Sequence, residues 1–505
     1  MSSRPPNLLV IMCDQLRATA LGLYGNETVR TPHIESLAQS GTTYQYGFTP
    51  SPVCVPARVA LWTGRWPHLT RSMENSVFLQ PGETHLLQLL RERGYRTGLI
   101  GKNHCFSDED LASYFDTYFP VSHQGPAGDL GDPEIAAGKR FIRTMNNRAD
   151  VPTYGASARA LGGAGRGGAG GKAYACGVSP YPVEKHGTWL IGREAERFIR
   201  HGSQDRPFCA WVSIADPHTP YQISEPYASR YPAESLDLPP HDGVGYPGKP
   251  QWFRLFAELM GAHDVSDEHL KQVLSIYYGM IALIDDVVGR LLAALDETGQ
   301  REDTIVLFTA DHGDYMTEHR LVRKGASMAD ALTRIPFLLS YPARITAGQT
   351  SDSLVSLLDV FPTLCSLMNV PLPPGRSGHP LHLAVEGAAR REVVFSEHGV
   401  VRGAINRDEI YARLERMAAA GRPHNAPWQL AANGQKKMVR TRDWKYVWHA
   451  GRAEELYDLR TDRHELTNLA PRSDQRERLD DFRARLLEWC IETEEIVPEG
   501  GRGGE

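Results

Sequence analysis

The chain has 505 residues, of which 41% are hydrophobic and 23% charged, the balance of a globular protein with a large buried core. A formal charge of −6 argues against the basic face of a nucleic-acid binder, although a local cationic pocket can sit inside an acidic protein. No run approaches the roughly 18 apolar residues that cross a bilayer, so no membrane partner is expected.

The first apolar run, residues 8–13, is too short for a secretory core segment, lacks a cleavage site after it and reads as a buried strand. Thr31-Pro32 is a good cap and first-turn pair for a helix over 33–40, and 84–93 predicts a second helix closed by Gly94. Short apolar runs at 97–100, 208–214 and 304–309 suit strands covered on both faces. The longest helix is expected over 268–295, with Leu274, Tyr277, Tyr278, Ile281 and Ile284 at helical spacing and Asp285-Asp286 as the polar break. This alternation predicts an α/β fold: a doubly wound, mostly parallel sheet flanked by helices.

Two stretches interrupt the alternation. Residues 106–183 are polar and loop-rich and hold a glycine run, 162–171, without the Lys-Ser/Thr of a phosphate-binding loop. Residues 225–252 are rich in Pro, Tyr and Gly, and both stretches are expected to act as lids or substrate walls. Composition shifts again near 371–376, which predicts a catalytic α/β domain over 1–380 and a smaller α+β subdomain over 381–505. The latter should contain an antiparallel sheet from 437–439, 445–449 and 455–459, a terminal helix over 473–493 and a disordered tail at 499–505. Seven cysteines without paired spacing point to a reducing compartment, the cytoplasm, with those other than Cys54 acting as small buried hydrophobes.

Asp14 and Asp311-His312 each follow an apolar run, which places them at the carboxyl ends of strands, where open α/β sheets assemble their sites. Two carboxylates and an imidazole make a reasonable divalent-metal site. Lys102, Lys324 and Arg58 are cations suited to anionic oxygens, and His104 and His218 can exchange protons near neutral pH. Arg58 lies one helical turn beyond Cys54, which would put positive charge beside a nucleophile.

Cys54-Val55-Pro56-Ala57-Arg58, continuing through Leu61, Thr63 and Gly64, resembles the signature of the sulfatases, formylglycine-dependent members of the alkaline phosphatase superfamily. The resemblance runs through Asp14-Gln15, Thr31-Pro32-His33, Gly101-Lys102-Asn103-His104 and Asp216-Pro217-His218-Thr219-Pro220. It continues in Asp311-His312-Gly313, Arg323-Lys324-Gly325 and the C-terminal Glu455-Leu456-Tyr457-Asp458-Leu459. It implies hydrolysis of small-molecule sulfate monoesters, with a formylglycine-generating enzyme as maturation partner that oxidises Cys54. The metal would be held by Asp14, Gln15, Asp311, His312 and the side chain at 54. Hydrated formylglycine would offer two hydroxyls, one ionised with help from the metal and Arg58 to attack sulfur. Lys102, Lys324, Asn75 and the metal would hold the sulfuryl oxygens, and His218 or Lys324 would protonate the departing oxygen. His104 would help the second hydroxyl expel sulfate.

Gln15 in place of a second aspartate, and His312 in place of an asparagine, resemble the branch holding choline sulfatases and phosphonate monoester hydrolases, and Asn75 matches an asparagine of that branch. The imidazole makes manganese (Mn2+) the competitor to calcium (Ca2+). The same features make a phosphonate monoester or phosphodiester hydrolase the alternative, against which Lys102 and His104 argue. A non-catalytic metal- or anion-binding relative with an unmodified Cys54 is the remote alternative. Among the wall candidates Arg166, Lys172, His186, Trp189, Tyr221 and Trp252, His186 ranks first for substrate contact. Relatives in this branch associate through C-terminal extensions, and the short tail here leaves an oligomer open.

Overall fold

The structure, a computed structural model, describes residues 5–494 except 129, 146–172, 202–204, 242, 244, 326, 382–390, 401–406 and 421–433. The glycine run, Arg166, Lys172 and the tail 499–505 lie outside the described residues. In chain order the strands are β1 Asn7–Asp14, β2 Thr42–Phe48, β3 Arg96–Gly101, β4 Thr117–Ser122, β5 Gly125–Pro126, β6 Cys176–Ser179, β7 Phe208–Pro217 and β8 Tyr221–Ser224. They continue as β9 Thr304–Ala310, β10 Arg334–Ile335, β11 Phe337–Ser340 and β12 Gln349–Ser356. The helices that matter here are α1 Pro32–Gln39, α2 Cys54–Thr63, α3 Leu86–Glu92, α4 Gly187–His201, α5 Gln251–Met260, α6 Asp267–Glu297 and α7 Val360–Leu367.

Ten of these strands form one sheet in the order β10-β2-β11-β9-β1-β7-β3-β4-β5, with β12 pairing on β2. The centre is parallel: β1 lies between β7 and β9, and β3 joins β7. The reason is compositional. Every residue of β1 and β7 is buried, and an apolar strand covered on both faces suits a parallel interior position flanked by helices. Burying one such Leu, Ile or Val contributes roughly 1.5–3 kcal/mol, so these two strands anchor the fold.

The expected helices form with small shifts that their caps explain. α3 starts at Leu86 because the His85 imidazole accepts the Gln88 N–H at its first turn. α6 is capped by Ser266, which accepts from His269 N–H at 3.2 Å. Its polar break has a purpose: buried Asp285 accepts the Ile34 N–H at 2.8 Å and caps α1.

The stretch 106–183, expected to be polar and loop-rich, also carries regular elements. β4 and β5 form a hairpin that extends the main sheet past β3, and Pro133–Met145 is helical. Polar, half-exposed edge strands show no apolar run. The opposite edge, β2 with β10 to β12, was also not anticipated, although β2 carries Thr, Tyr and Phe in the manner of a strand.

Beyond the main sheet, β13 Val394–His398, β14 Lys436–Arg440, β15 Trp444–His449 and β16 Ala453–Asp458 form an antiparallel sheet. The terminal helix α8, Arg476–Glu492, buries Leu479, Phe482, Leu486 and Trp489 against it. Those four positions recur every three or four residues, the single apolar stripe of an amphipathic helix. Trp489 also meets Trp66, just after α2, at 5.0 Å.

Candidate active site

The carboxyl ends of β3, β7, β1 and β9 converge on the first residue of α2. Val53 is extended and Cys54 opens the helix, with Pro56 in the first turn, where a missing N–H costs nothing. The helix N-terminus therefore faces the strand ends with its partial positive charge. The Val55 N–H, otherwise unpaired, is taken by the Asn75 carbonyl at 3.1 Å. Two glycines allow the approach. A Cβ on Gly101, at φ +115, would lie 2.0 Å from the Ser213 carbonyl oxygen, and one on Gly313 would lie 2.0 Å from that of Ala331. Only glycine lets β3 close on β7 immediately before Lys102.

Arg58, fully buried, holds two carboxylates together. Its Nε is 2.9 Å from Asp311 Oδ2 and its Nη2 is 3.1 Å from Asp14 Oδ2, while Nη1 donates to Ser213 Oγ at 2.6 Å. Its guanidinium thus lies behind the nucleophile position, among the strand ends. Lys102 donates to the same Asp14 carboxylate.

Around Cys54 Sγ stand Lys324 Nζ at 2.9 Å, His312 Nε2 at 3.3 Å, Asp14 Oδ1 at 3.7 Å and Lys102 Nζ at 3.9 Å. Burial and Asp14 push the thiol up, but Lys102, Lys324 and His312 together hold it well below the ordinary range. Burial also opposes ionisation of Asp14, yet Lys102, His218, Lys324 and Arg58 keep it well below the carboxylate range. Asp311 is shifted the other way, by burial and by Asp14 beside it.

His312 Nδ1 lies 2.8 Å from the Gly313 carbonyl and donates there, which turns Nε2 towards the site, where it can ligate a cation once deprotonated. Donor atoms of Asp14, Cys54, Asp311 and His312 all lie within 4.8 Å of one another. Two carboxylates and a correctly turned imidazole fit a divalent cation. Gln15, at φ 68, gives its backbone N–H to Asp311 at 3.0 Å, and its side-chain carbonyl lies 3.4 Å from Lys324 Nζ.

The other predicted residues form an outer layer. His104 sits at φ 42 with a buried Nδ1 lacking a hydrogen-bond partner among the described residues. His218 gives its Nδ1 hydrogen to the Thr219 carbonyl, and burial followed by Lys324 holds it well below the usual imidazole range. His186 faces elsewhere: its Nδ1 is 3.6 Å from Asp216 and its Nε2 2.9 Å from the Gln222 amide. Of the wall candidates, Trp189 lies under Arg290, Trp252 meets the His449 ring at a tilt of 43°, and Tyr221 donates to Asp314 at 2.7 Å.

Three residues near the site were not singled out. Ser213 braces Arg58, Asp314 anchors the Gln15 amide, and His123 stacks on His218. A serine near the end of an otherwise apolar strand was a readable signal for the first. Nothing in the local sequence marked His123.

With this geometry in place, the comparisons decide the family. The sulfatase family model matches residues 6–370. The chain belongs to the sulfatase family. It is accordingly a sulfuric ester hydrolase. An arylsulfatase of Clostridium perfringens is 26% identical across 98% of this chain and 97% of its own length. Arylsulfatase K of Homo sapiens is 25% identical over 93% of this sulfatase and 80% of the relative. Among solved structures, the phosphonate monoester hydrolase of Agrobacterium radiobacter has a TM-score of 0.71 at 25% identity, covering 97% of this chain and 96% of its own. BT4656 in complex with its substrate D-glucosamine-2-N,6-O-disulfate shares the fold, with a TM-score of 0.72 at 18% identity over 99% of this chain and 100% of its own.

Proposed function

We propose that this sulfatase hydrolyses sulfate monoesters to an alcohol and inorganic sulfate, with residue 54 converted to formylglycine and a divalent cation beside it. The observation that carries the reading is the convergence of Lys324, His312, Asp14 and Lys102 within 3.9 Å of Cys54 Sγ. That sulfur stands in for the oxygens of the hydrated aldehyde. Formylglycine supplies two hydroxyls on one carbon, one to attack sulfur and one to release sulfate, which a plain Ser or Cys cannot do. Asp14, Asp311 and His312, with the Gln15 carbonyl, would hold the cation, whose chemistry is to polarise bound oxygens. Calcium is the first choice, and the imidazole makes manganese the competitor.

The chain's own groups then divide the work. Lys102 and Lys324 bind the sulfuryl oxygens, with Asn75 at the α2 N-terminus on the same face. Arg58 keeps Asp14 and Asp311 side by side despite their repulsion. The S–O ester bond breaks and the departing oxygen takes a proton from His218 or Lys324. His104, whose Nδ1 is free to accept, removes the proton that lets the second hydroxyl expel sulfate. His186 would act only as an outer support of the β7 end, through Asp216. Seven unpaired cysteines support a reducing compartment, the cytoplasm, for the mature protein.

A second reading, phosphonate monoester hydrolysis, is favoured by Gln15, His312 and the likeness to the Agrobacterium radiobacter enzyme. Lys102 and His104 weigh for sulfate. Turnover of nitrophenyl sulfate and of a nitrophenyl phosphonate monoester should be compared on metal-loaded protein whose Cys54 conversion is verified by peptide mass. Sulfate turnover well above phosphonate turnover, lost in Cys54→Ala, is expected. The reverse preference would overturn the substrate, and equal rates without Cys54 would overturn the mechanism.

A further inference from the structure

His123 is a fourth imidazole at this site, after His312, His104 and His218. It occupies the two-residue turn between β4 and β5, whose paired ends are Ser122 and Gly125. Its ring stacks on that of His218, with centroids 4.8 Å apart and planes 29° apart. Burial, and then the positive charge of Lys102, hold it down to about 4, with His104 and Lys324 adding to that effect and Asp14 opposing it. The charges that act on it most, Lys102, Asp14, His104 and Lys324, belong to the same site. Its neighbours, Ser122 and Gln124, line a 420 Å³ cavity together with Lys102, His104 and Tyr118.

The stacked pair is asymmetric. His218 has committed its Nδ1 hydrogen to the Thr219 carbonyl, whereas His123 Nδ1 is buried and has no hydrogen-bond partner among the described residues. A buried ring nitrogen left without a partner costs free energy until something satisfies it. Neither ring is among the groups within hydrogen-bonding reach of Cys54 Sγ, which are Lys324, Lys102, His312 and Asp14. In-line displacement at sulfur puts the departing oxygen opposite the nucleophile, away from that inner group. We propose that His123 is a substrate-contacting residue, a neutral N–H donor to the bridging oxygen on the alcohol side of the ester. This rests on the reading of the site as an ester hydrolase. His123 donates without transferring its proton: the S–O bond breaks, negative charge grows on the alcohol oxygen, and the N–H stabilises it while another group supplies the proton.

The test is a leaving-group series of substituted phenyl sulfates on converted, metal-loaded protein. His123→Ala should lose kcat/KM increasingly as the leaving group worsens, by about tenfold or more for the poorest phenol. His123→Asn, which keeps an N–H, should recover part of the loss. Inhibition by inorganic sulfate should be unchanged, because sulfate carries no alcohol oxygen. A loss equal across the series with weakened sulfate inhibition would overturn the assignment, as would His123→Ala within twofold of the parent throughout. If the parent shows no Cys54-dependent sulfate turnover, the sulfate reading fails. The same series on phenyl phosphonate monoesters then tests His123 by the same slope.

Discussion

Removing Arg58 tests how the two site carboxylates coexist. Arg58 is fully buried and bridges Asp14 at 3.1 Å and Asp311 at 2.9 Å, and both carboxylates are themselves fully buried. Truncating one partner of such a network leaves uncompensated buried charge, at a cost of about 3–5 kcal/mol. Because Arg58 lies in the Cys54 motif on which the proposed oxidation would depend, Arg58→Ala should be made in a Cys54→Ala background, so that failed oxidation cannot be mistaken for instability. Denaturant unfolding should then show a lower midpoint with an unchanged slope. The deficit should also depend on pH. Asp311 is already raised by burial and by Asp14, and losing Arg58 raises it further, so the variant loses additional stability as pH rises through that raised range. The gap to the parent should therefore narrow on going from about pH 8 to about pH 5, and a divalent cation should narrow it at the higher pH. A gap under about 1 kcal/mol, or one indifferent to pH and to cation, would refute the role given to Arg58.

Three further outcomes are expected. Asp14→Asn and Asp311→Asn should each lower bound metal per chain, measured by elemental analysis after dialysis, and retained stoichiometry would remove those residues from the metal site. Lys102→Ala and Lys324→Ala should each reduce kcat/KM by roughly 10²–10³ on an aryl sulfate, as expected for groups facing developing charge. For Glu318 and Glu455, burial opposes ionisation, but Arg17 and Lys249 respectively bring them down to about 2. A depressed carboxyl contributes stability above its unfolded value near ~4.3 that is lost as pH falls towards about 2. Glu318→Gln should flatten acid unfolding in that window by roughly 3 kcal/mol, and an unchanged acid limb would show the Arg17 pair to be unimportant.

The fold was legible where burial is two-sided. The runs at 8–13, 97–100, 208–214 and 304–309 became β1, β3, β7 and β9, because a strand covered by helices on both faces must be apolar almost throughout. The sheet edges escaped because their residues answer to other constraints. β4 keeps Thr117 and Tyr118 exposed, and β12 carries Gln349, Thr350 and Asp352 among its residues. Each is defined by its pairing, with the preceding strand β3 for one and with β2, distant in the chain, for the other. Such pairings are set by loop geometry and leave no periodic trace in the strand itself.

The site divides along the same physical line. Strand-end position made Asp14, Asp311 and His312 readable, since a polar residue closing an apolar strand at the carboxyl edge of an α/β sheet has few other purposes, while Lys102 was marked by the Gly101-Lys102-Asn103-His104 motif. What those residues do to one another depends on strand order. Because β9, β1, β7 and β3 are neighbours in that sequence, Asp311, Asp14, Ser213 and Lys102 come within reach of one guanidinium. Arg58 was expected to be a cation beside the nucleophile, and its charge does interact with Cys54. Its hydrogen bonds also hold the strand ends together, and the cations nearest Cys54 Sγ are Lys324 and Lys102. His123 lies further out, on a hairpin whose place in the sheet was itself not anticipated. A side chain can be assigned to a site from sequence only after its backbone element has been assigned, and the β4–β5 edge was the element that composition hid.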